Sequence, residues 1–270
     1  YQDNTIVGSY IYFENSKFIF FRITQGSPLE TPYGGPISKE NNSEILKALI
    51  VKHDALTKSI ISYVPTSPYW NSDALDDLGY EIETLGQEVS IINLEKDSDK
   101  QFSMFNKKKR WDINKGIKEG VQVSMVKKNF ISSYYEMLEM TFQKFNKEPI
   151  PKSFFKHLAE NLPKGMFNIY LADHEEEILS GMIILKWRKE SYYWSSVSTG
   201  RKRSLQSTSI LIWRAIQDLV AENYSSFDLL GMGIKPVRDF KSSFNGHVKK
   251  YNSYTKKSMR WSYVKKLYNF

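Results

Sequence analysis

The stretch "FDLLGMGIKPVRDFKSSFNG", Phe227–Gly246, opens as an apolar run and turns glycine-rich at Gly231 and Gly233. It continues into a short amphipathic segment that sets Lys241 between Phe240 and Phe244 in sequence. A buried strand, a glycine turn and a helix follow from that order. Immediately upstream, "QSTSILIWRAIQDLVAENY" carries Ile210, Trp213, Ile216, Leu219 and Val220 on one helical face. Three strands precede that helix: "MFNIYLADHEE", "EILSGMIILKWRK" and "SYYWSSVSTG", with "ADHEEEIL" as a hairpin turn. Before them come the helices "NFISSYYEMLEMTFQKFN" and "PKSFFKHLAENLP", and the strand "VQVSMVKKN". "HVKKYNSYTKKS" completes the unit.

The first hundred residues repeat the plan loosely. "IVGSYIYFENSKFIFFRIT" reads as two strands with a turn at Glu14–Ser16. A Pro- and Gly-punctuated loop, "SPLETPYGGPIS", leads to the helix "NSEILKALIVKHDALTKS", capped by Asn42 or Ser43. "SIISYVPTS" and "EVSIINLEK" are further strands. Composition shifts near Phe105, where the basic helix "NKKKRWDINKGIKEG" begins. The expected architecture is α+β, with two similar domains at 1–106 and 107–270.

Composition narrows the chemistry. The 270 residues are 41% apolar and carry a formal net charge of +8. That surplus favours anionic partners such as tRNA, nucleotide-linked sugars, CoA or an acidic lipid surface. Cysteine is absent, which excludes disulfides, thiolate nucleophiles and Cys-zinc sites. The four histidines (53, 157, 174 and 247) show no metal-ligand spacing. No G-x-S-x-G elbow or Walker loop occurs. No apolar run reaches the roughly 18 residues of a membrane span. The chain opens on Tyr1, and the first elements of the N-terminal domain are expected to be missing.

Three other places could bind a ligand. Gly34 and Gly35 permit close backbone approach, with Tyr33 as a flat neighbour; a plain turn explains them equally well. Arg110, among the lysines of the basic helix, has a guanidinium that forks phosphate or carboxylate; the rest of that helix reads as a solvated face. Arg201, Lys202 and Arg203 stand before a helix start, where cations and free amides can hold an anion, or simply form a surface loop.

Together, "PYGGP", "INLEKDSDKQFSMFNKKKRWDINKGIKEGVQV" and "FDLLGMG…RDFKSSFNG" resemble, in order and spacing, the FemAB-type aminoacyltransferases of the GNAT superfamily. The resemblance covers nearly the whole chain and implies two tandem GNAT-like domains. It implies transfer of an amino acid from aminoacyl-tRNA to an amine on a peptidoglycan or surface-polymer precursor. "RKRSLQSTS" departs from the superfamily's Q/R-x-x-G-x-G/A pattern, having no glycine after Arg201, which argues against an ordinary CoA site.

An aminoacyl ester is already activated, so the enzyme needs positioning and charge stabilisation rather than a nucleophile of its own. Lys241 is the candidate catalytic residue, stabilising the developing oxyanion or leaving group, or a phosphate beside it; Phe240 would fix its position. The resemblance points to the same Phe-Lys pair. An ordinary helix lysine packing its stem on Phe244 is the alternative. Arg238 and Asp239 are second choices. The acceptor, an anionic cell-wall or nucleotide-sugar precursor, is expected in an interdomain cleft beside Tyr33, Gly34 and Gly35. The donor is expected near Arg201 and Arg203, with Arg110 facing either. No metal or bound cofactor is expected. The expected location is cytoplasmic, with peripheral contact at the inner membrane face. An acyl-CoA-dependent N-acyltransferase and a non-catalytic scaffold are the rival readings.

Overall fold

The computed structural model describes residues 5–18, 21–27, 33–68, 70, 75, 77–126 and 130–261. The chain forms two compact units, one of residues 1–88 with 249–270, the other of residues 89–248. The expected boundary at 106/107 lies inside the second unit, where Phe105 packs edge-on against Trp213 and Phe244. The sequence shift there marks the start of a basic helix and not a break in packing.

The first unit begins with β1 (Gly8–Ser9), β2 (Phe13–Phe18), β3 (Phe21–Gln25) and β4 (Ile37–Ser38). Glu14 and Asn15, read from sequence as part of a turn, lie in β2, paired with Thr24 and Ile23 of β3. Turn-prone composition yields there to the antiparallel ladder. Helix α1 (Ser43–Thr57) starts where the Asn42 side chain accepts from the amides of Glu44 and Ile45, as expected of that cap. After it, β5 (Ile61–Pro65) runs parallel to β3. Ile50, Val64, Leu75, Tyr80 and Tyr254 form this unit's core. Beside the core, Asp54 accepts from Nδ1 of His53 at 3.0 Å, the Tyr80 hydroxyl at 2.9 Å and the Lys256 ammonium at 2.8 Å. Burial pushes the Asp54 carboxyl up, but these donors outweigh it and hold it below its ordinary range.

The second unit takes over within β6 (Glu81–Asn93). It continues through α2 (Ser98–Ser103), α3 (Lys107–Lys118), β7 (Gln122–Val126), α4 (Ile131–Gln143) and α5 (Lys152–Asn161). Then come β8 (Phe167–His174), β9 (Glu177–Trp187), β10 (Glu190–Ser198), α6 (Ser207–Ala221), β11 (Ser226–Gly231) and α7 (Lys235–Ser242). The last strand, β12 (His247–Lys257), returns the chain to the first unit, where Ser253–Lys257 pair antiparallel with β5.

In the second unit the strands lie in the order β6-β11-β10-β9-β8-β7. Glu175 and Glu176 both have positive φ in the β8–β9 turn, the geometry of a tight hairpin. The sheet's two faces follow strand alternation. Tyr170, Met182 and Ile184 pack toward α3 and α6, while Ile169, Leu171 and Ile183 pack toward α4 and α5. Only β10 and β11 run parallel among these strands, and they pair over just Glu190–Tyr192 and Ser226–Asp228. β10 then loses register with β9 between Tyr193 and Ser195, and β11 loses register with β6 between Asp228 and Gly231.

Helices α3 and α6 meet closely at Gly116. A Cβ there would stand 2.3 Å from the Leu205 carbonyl oxygen and 2.5 Å from Ile210 Cδ1. Backbone cannot yield as a flexible side chain can. Gly116→Ala is therefore expected to cost about 2–3 kcal/mol of stability, as overpacking does. Urea denaturation measures this, and a wild-type midpoint would contradict the close approach.

Candidate active site

The site is built where β11 leaves its ladder. Leu230 takes a left-handed φ of 60°, and its amide donates to Asp228 Oδ1 at 2.7 Å. The interruption leaves strand carbonyls in need of donors. Helix α7 supplies them: Pro236 in its first turn pre-sets the backbone, and its last turn carries Lys241. The Lys241 ammonium donates to the carbonyls of Leu229 and Gly231, each at 2.6 Å. It also lies 5.5 Å from the Tyr193 ring centroid. The residue is only 7% exposed. Burial lowers its pKa from 10.5 to about 8, against the opposing pull of the Asp228 carboxylate. Tyr193 donates a short hydrogen bond to Ser196, and burial raises its phenol to about 12.

Phe240 and Phe244 frame a different lysine from the one their sequence positions suggest. Phe240 is on α7 and Phe244 lies two residues past its end, and the two rings are in edge contact at 5.4 Å. Lys241 is one residue on from Phe240, so its side chain leaves the helix in another direction. The rings instead face Lys109 of α3, whose ammonium is 4.4 Å from the Phe240 centroid and 5.0 Å from that of Phe244. Lys109 also donates to Ser209 Oγ, in the first turn of α6, at 2.7 Å. It is 5% exposed, and burial lowers its pKa to about 8; Asp112 opposes the shift and Lys108 reinforces it. Sequence reading put Lys109 on a solvated face. Its 3.6-residue phase with Ile113 and Gly116, both buried against α6, is the signal that would have placed it inside.

The remaining candidates fall in several places. The Arg110 guanidinium donates to the carbonyls of Ser103 and, at 3.1 Å, Phe105, tying α2 to α3. Arg201 pairs with Glu177 at 3.1 Å, and Arg203 donates to the Gly200 carbonyl at 3.2 Å. Arg201 borders a cavity of about 370 Å³ with Ser133, Glu136, Lys144, Glu177 and Thr199. In that loop, Lys202 and Gln206 adopt φ of 44° and 56°, a conformation in which glycine is unstrained. Arg238 is exposed on α7. Tyr33, Gly34 and Gly35 belong to the first unit. Tyr33 meets Tyr251 edge-on at 5.6 Å. Gly35 has φ of 87°, and a Cβ on Gly34 would come within 2.2 Å of the Gly26 carbonyl oxygen. Both glycines line an apolar-walled cavity of about 270 Å³ with Ile11, Phe13, Gly26 and Ile37. Among the described residues, no group of three or more His, Asp and Glu could hold a metal ion, and no helix is long and apolar enough to cross a membrane.

Residues 128–242 match the acetyltransferase (GNAT) domain family, so the second unit contains an acyltransferase-type domain. The whole chain has the fold of FemX, with a TM-score of 0.76 at 12% identity, covering 100% of this chain and 89% of that one. L-PGS from Bacillus licheniformis is similar at a TM-score of 0.61 and 13% identity, over 97% of this chain and 84% of that one. The C-terminal domain of a putative lysylphosphatidylglycerol synthetase from Agrobacterium fabrum gives 0.62 at 14% identity, over 93% and 82%. No curated protein sequence matches the chain.

Lys109 and Lys241 each bind a proton less tightly folded than unfolded. The unfolded state thus holds more protons between about pH 8 and 10.5, and stability rises with pH across that window. A shift of this size corresponds to about 3 kcal/mol per lysine when fully developed. Relative to Lys109→Met, the native chain should gain about 2 kcal/mol between pH 7 and 10. Urea titrations at several pH values read this directly, and parallel stability curves would refute it.

Proposed function

We propose that this chain is a FemAB-type aminoacyltransferase, moving an amino acid from aminoacyl-tRNA to an amine of a cell-wall or surface-polymer precursor. The buried Lys241 ammonium carries the reading. It stands where β10 and β11 part, held on two carbonyls, with one N–H left over. The acceptor amine attacks the ester carbonyl, and the C–O π pair moves onto oxygen. As the tetrahedral species collapses, the ester C–O bond breaks, the ribose oxygen leaves with a proton, and the amine loses one. Lys241 stabilises the negative charge on the oxyanion or on the leaving oxygen. A cation already fixed in a partly dry setting needs no reorganisation to do so. Phe240 contributes indirectly, by anchoring α7 against Lys109.

Arg201, Arg203 and Arg238 are the proposed contacts for the anionic donor, and the net charge of +8 suits a polyanion. The cavity lined by Gly34 and Gly35, next to Tyr33 in the chain, is the proposed acceptor wall. Arg110, engaged with the carbonyls of Ser103 and Phe105, acts by fixing α3. This reaction calls on no metal or bound cofactor, and charged tRNA and nucleotide-linked precursors make it cytoplasmic. The GNAT domain match favours a second reading, in which acyl-CoA is the donor to an amino sugar or other amine.

The test offers purified protein either charged tRNA or acyl-CoA, each with an amine-bearing nucleotide-sugar precursor, and identifies products by mass spectrometry. Aminoacyl product should form, and its rate should fall steeply with added salt. Product from acyl-CoA alone selects the second reading. Lys241→Met should lower kcat about 10²–10³-fold with KM little changed. Because the protonated form acts, kcat/KM should decline as pH rises through about 8, and Lys241→Arg should move that decline upward. Unimpaired turnover by Lys241→Met would remove the lysine from the mechanism.

A further inference from the structure

The side of α3 opposite Lys109 has no part in the reaction proposed above. Residues 107–118 carry six cations, of which Lys109 turns inward, Arg110 bonds carbonyls, Lys108 pairs with Asp112 at 3.0 Å and Lys115 with Glu119 at 3.8 Å. Lys107, Trp111 and Lys118 form one stripe at helical spacing, and Lys115 is one turn beyond Trp111 on the same side. Trp111 is 61% exposed, with the Lys115 ammonium 5.3 Å from its ring centroid. Ile117 is 48% exposed on this helix, and Met104, just before it, 39%. The inward face is already spent on Lys109, Ile113 and Gly116. The outward tryptophan therefore contributes nothing to the core.

We propose that this face docks on an anionic lipid surface. Lysines ringing a single exposed indole suit a headgroup layer: the indole enters the interface while the ammonium groups meet lipid phosphates. A single-stranded nucleic acid calls for a groove that tracks its backbone over aromatic platforms. Here the lysines and Trp111 stand on the outward side of one helix. The nearby cations Arg201 and Lys202 are engaged with Glu177 and Glu175, and on α3 itself Lys108 is engaged with Asp112 and Lys115 with Glu119, so Lys107 and Lys118 are the lysines this face offers to a surface. Each lysine near an anionic membrane contributes about fivefold in affinity, and insertion of the indole about tenfold.

The proposal is independent of the transferase reading, because its assay measures binding alone. The intact protein is co-sedimented with vesicles of phosphatidylglycerol and phosphatidylcholine in equal parts, and with phosphatidylcholine alone. Binding is expected to the mixed vesicles only, and to weaken with salt. K107Q/K118Q should lower it about 25-fold and Trp111→Ala about tenfold. All three positions are exposed, so far-ultraviolet circular dichroism and melting temperature should be unchanged. Absence of binding to the mixed vesicles, or binding that these substitutions leave intact, overturns the proposal. So does binding of bare tRNA that K107Q/K118Q weakens while vesicle binding is absent, which would assign the face to RNA.

Discussion

The arrangement around the candidate site depends on one charged group satisfying an interrupted strand. β11 departs from its ladder between Asp228 and Gly231, and Leu230 takes a left-handed conformation to do so. Buried carbonyls without partners would cost on the order of 1–3 kcal/mol each. The Lys241 ammonium meets two of them at 2.6 Å. The strand thus requires the lysine, and the lysine requires the strand, because an ammonium buried without acceptors would be far costlier. That mutual dependence keeps a positive charge at the point where the parallel pair β10 and β11 separates.

A second buried ammonium supports the same helix from the other side. Lys109 rests on the rings of Phe240 and Phe244 and donates to Ser209, so one side chain joins α3, α6 and α7. Among the described residues neither lysine forms an ion pair with a carboxylate, and burial lowers the pKa of both. Attraction to ring faces and to carbonyl or hydroxyl oxygens takes the place of a counter-ion. The short α7 is thereby held at two points, by Lys241 to β11 and by Phe240 to Lys109 of α3.

Helix α3 divides its cations by direction. Lys109 turns inward; Arg110 bonds the carbonyls that end α2; Lys107 and Lys118 face solvent. Residues adjacent in sequence thus have three different physical situations, set by a rotation of 100° per residue. The glycine loop of the first unit shows the same economy of space. Gly34 is required by its contact with the Gly26 carbonyl, and Gly35 by its positive φ, before any ligand is considered.

Local rules made much of this chain readable. Apolar spacing placed α6, the β8–β10 strands and the Asn42 cap, because those features depend on neighbours within a few residues. Lys241 was singled out for an aromatic frame that in the structure faces Lys109; its own partners are the Leu229 and Gly231 carbonyls and the Tyr193 ring. The FemAB-like order of motifs anticipated the FemX fold. The turn expected at Glu14–Ser16 falls inside β2, where Glu14 and Asn15 pair with Thr24 and Ile23 of the following strand. The partner of the phenylalanines was missed because Lys109 is more than 130 positions upstream of Phe240. Sequence by itself therefore determined most of the helices and strands, but not the extent of β2 or the burial of Lys109. Tertiary structure alone decided which lysine meets which ring and where the strands part, because burial and ring contact arise between segments that no local periodicity connects.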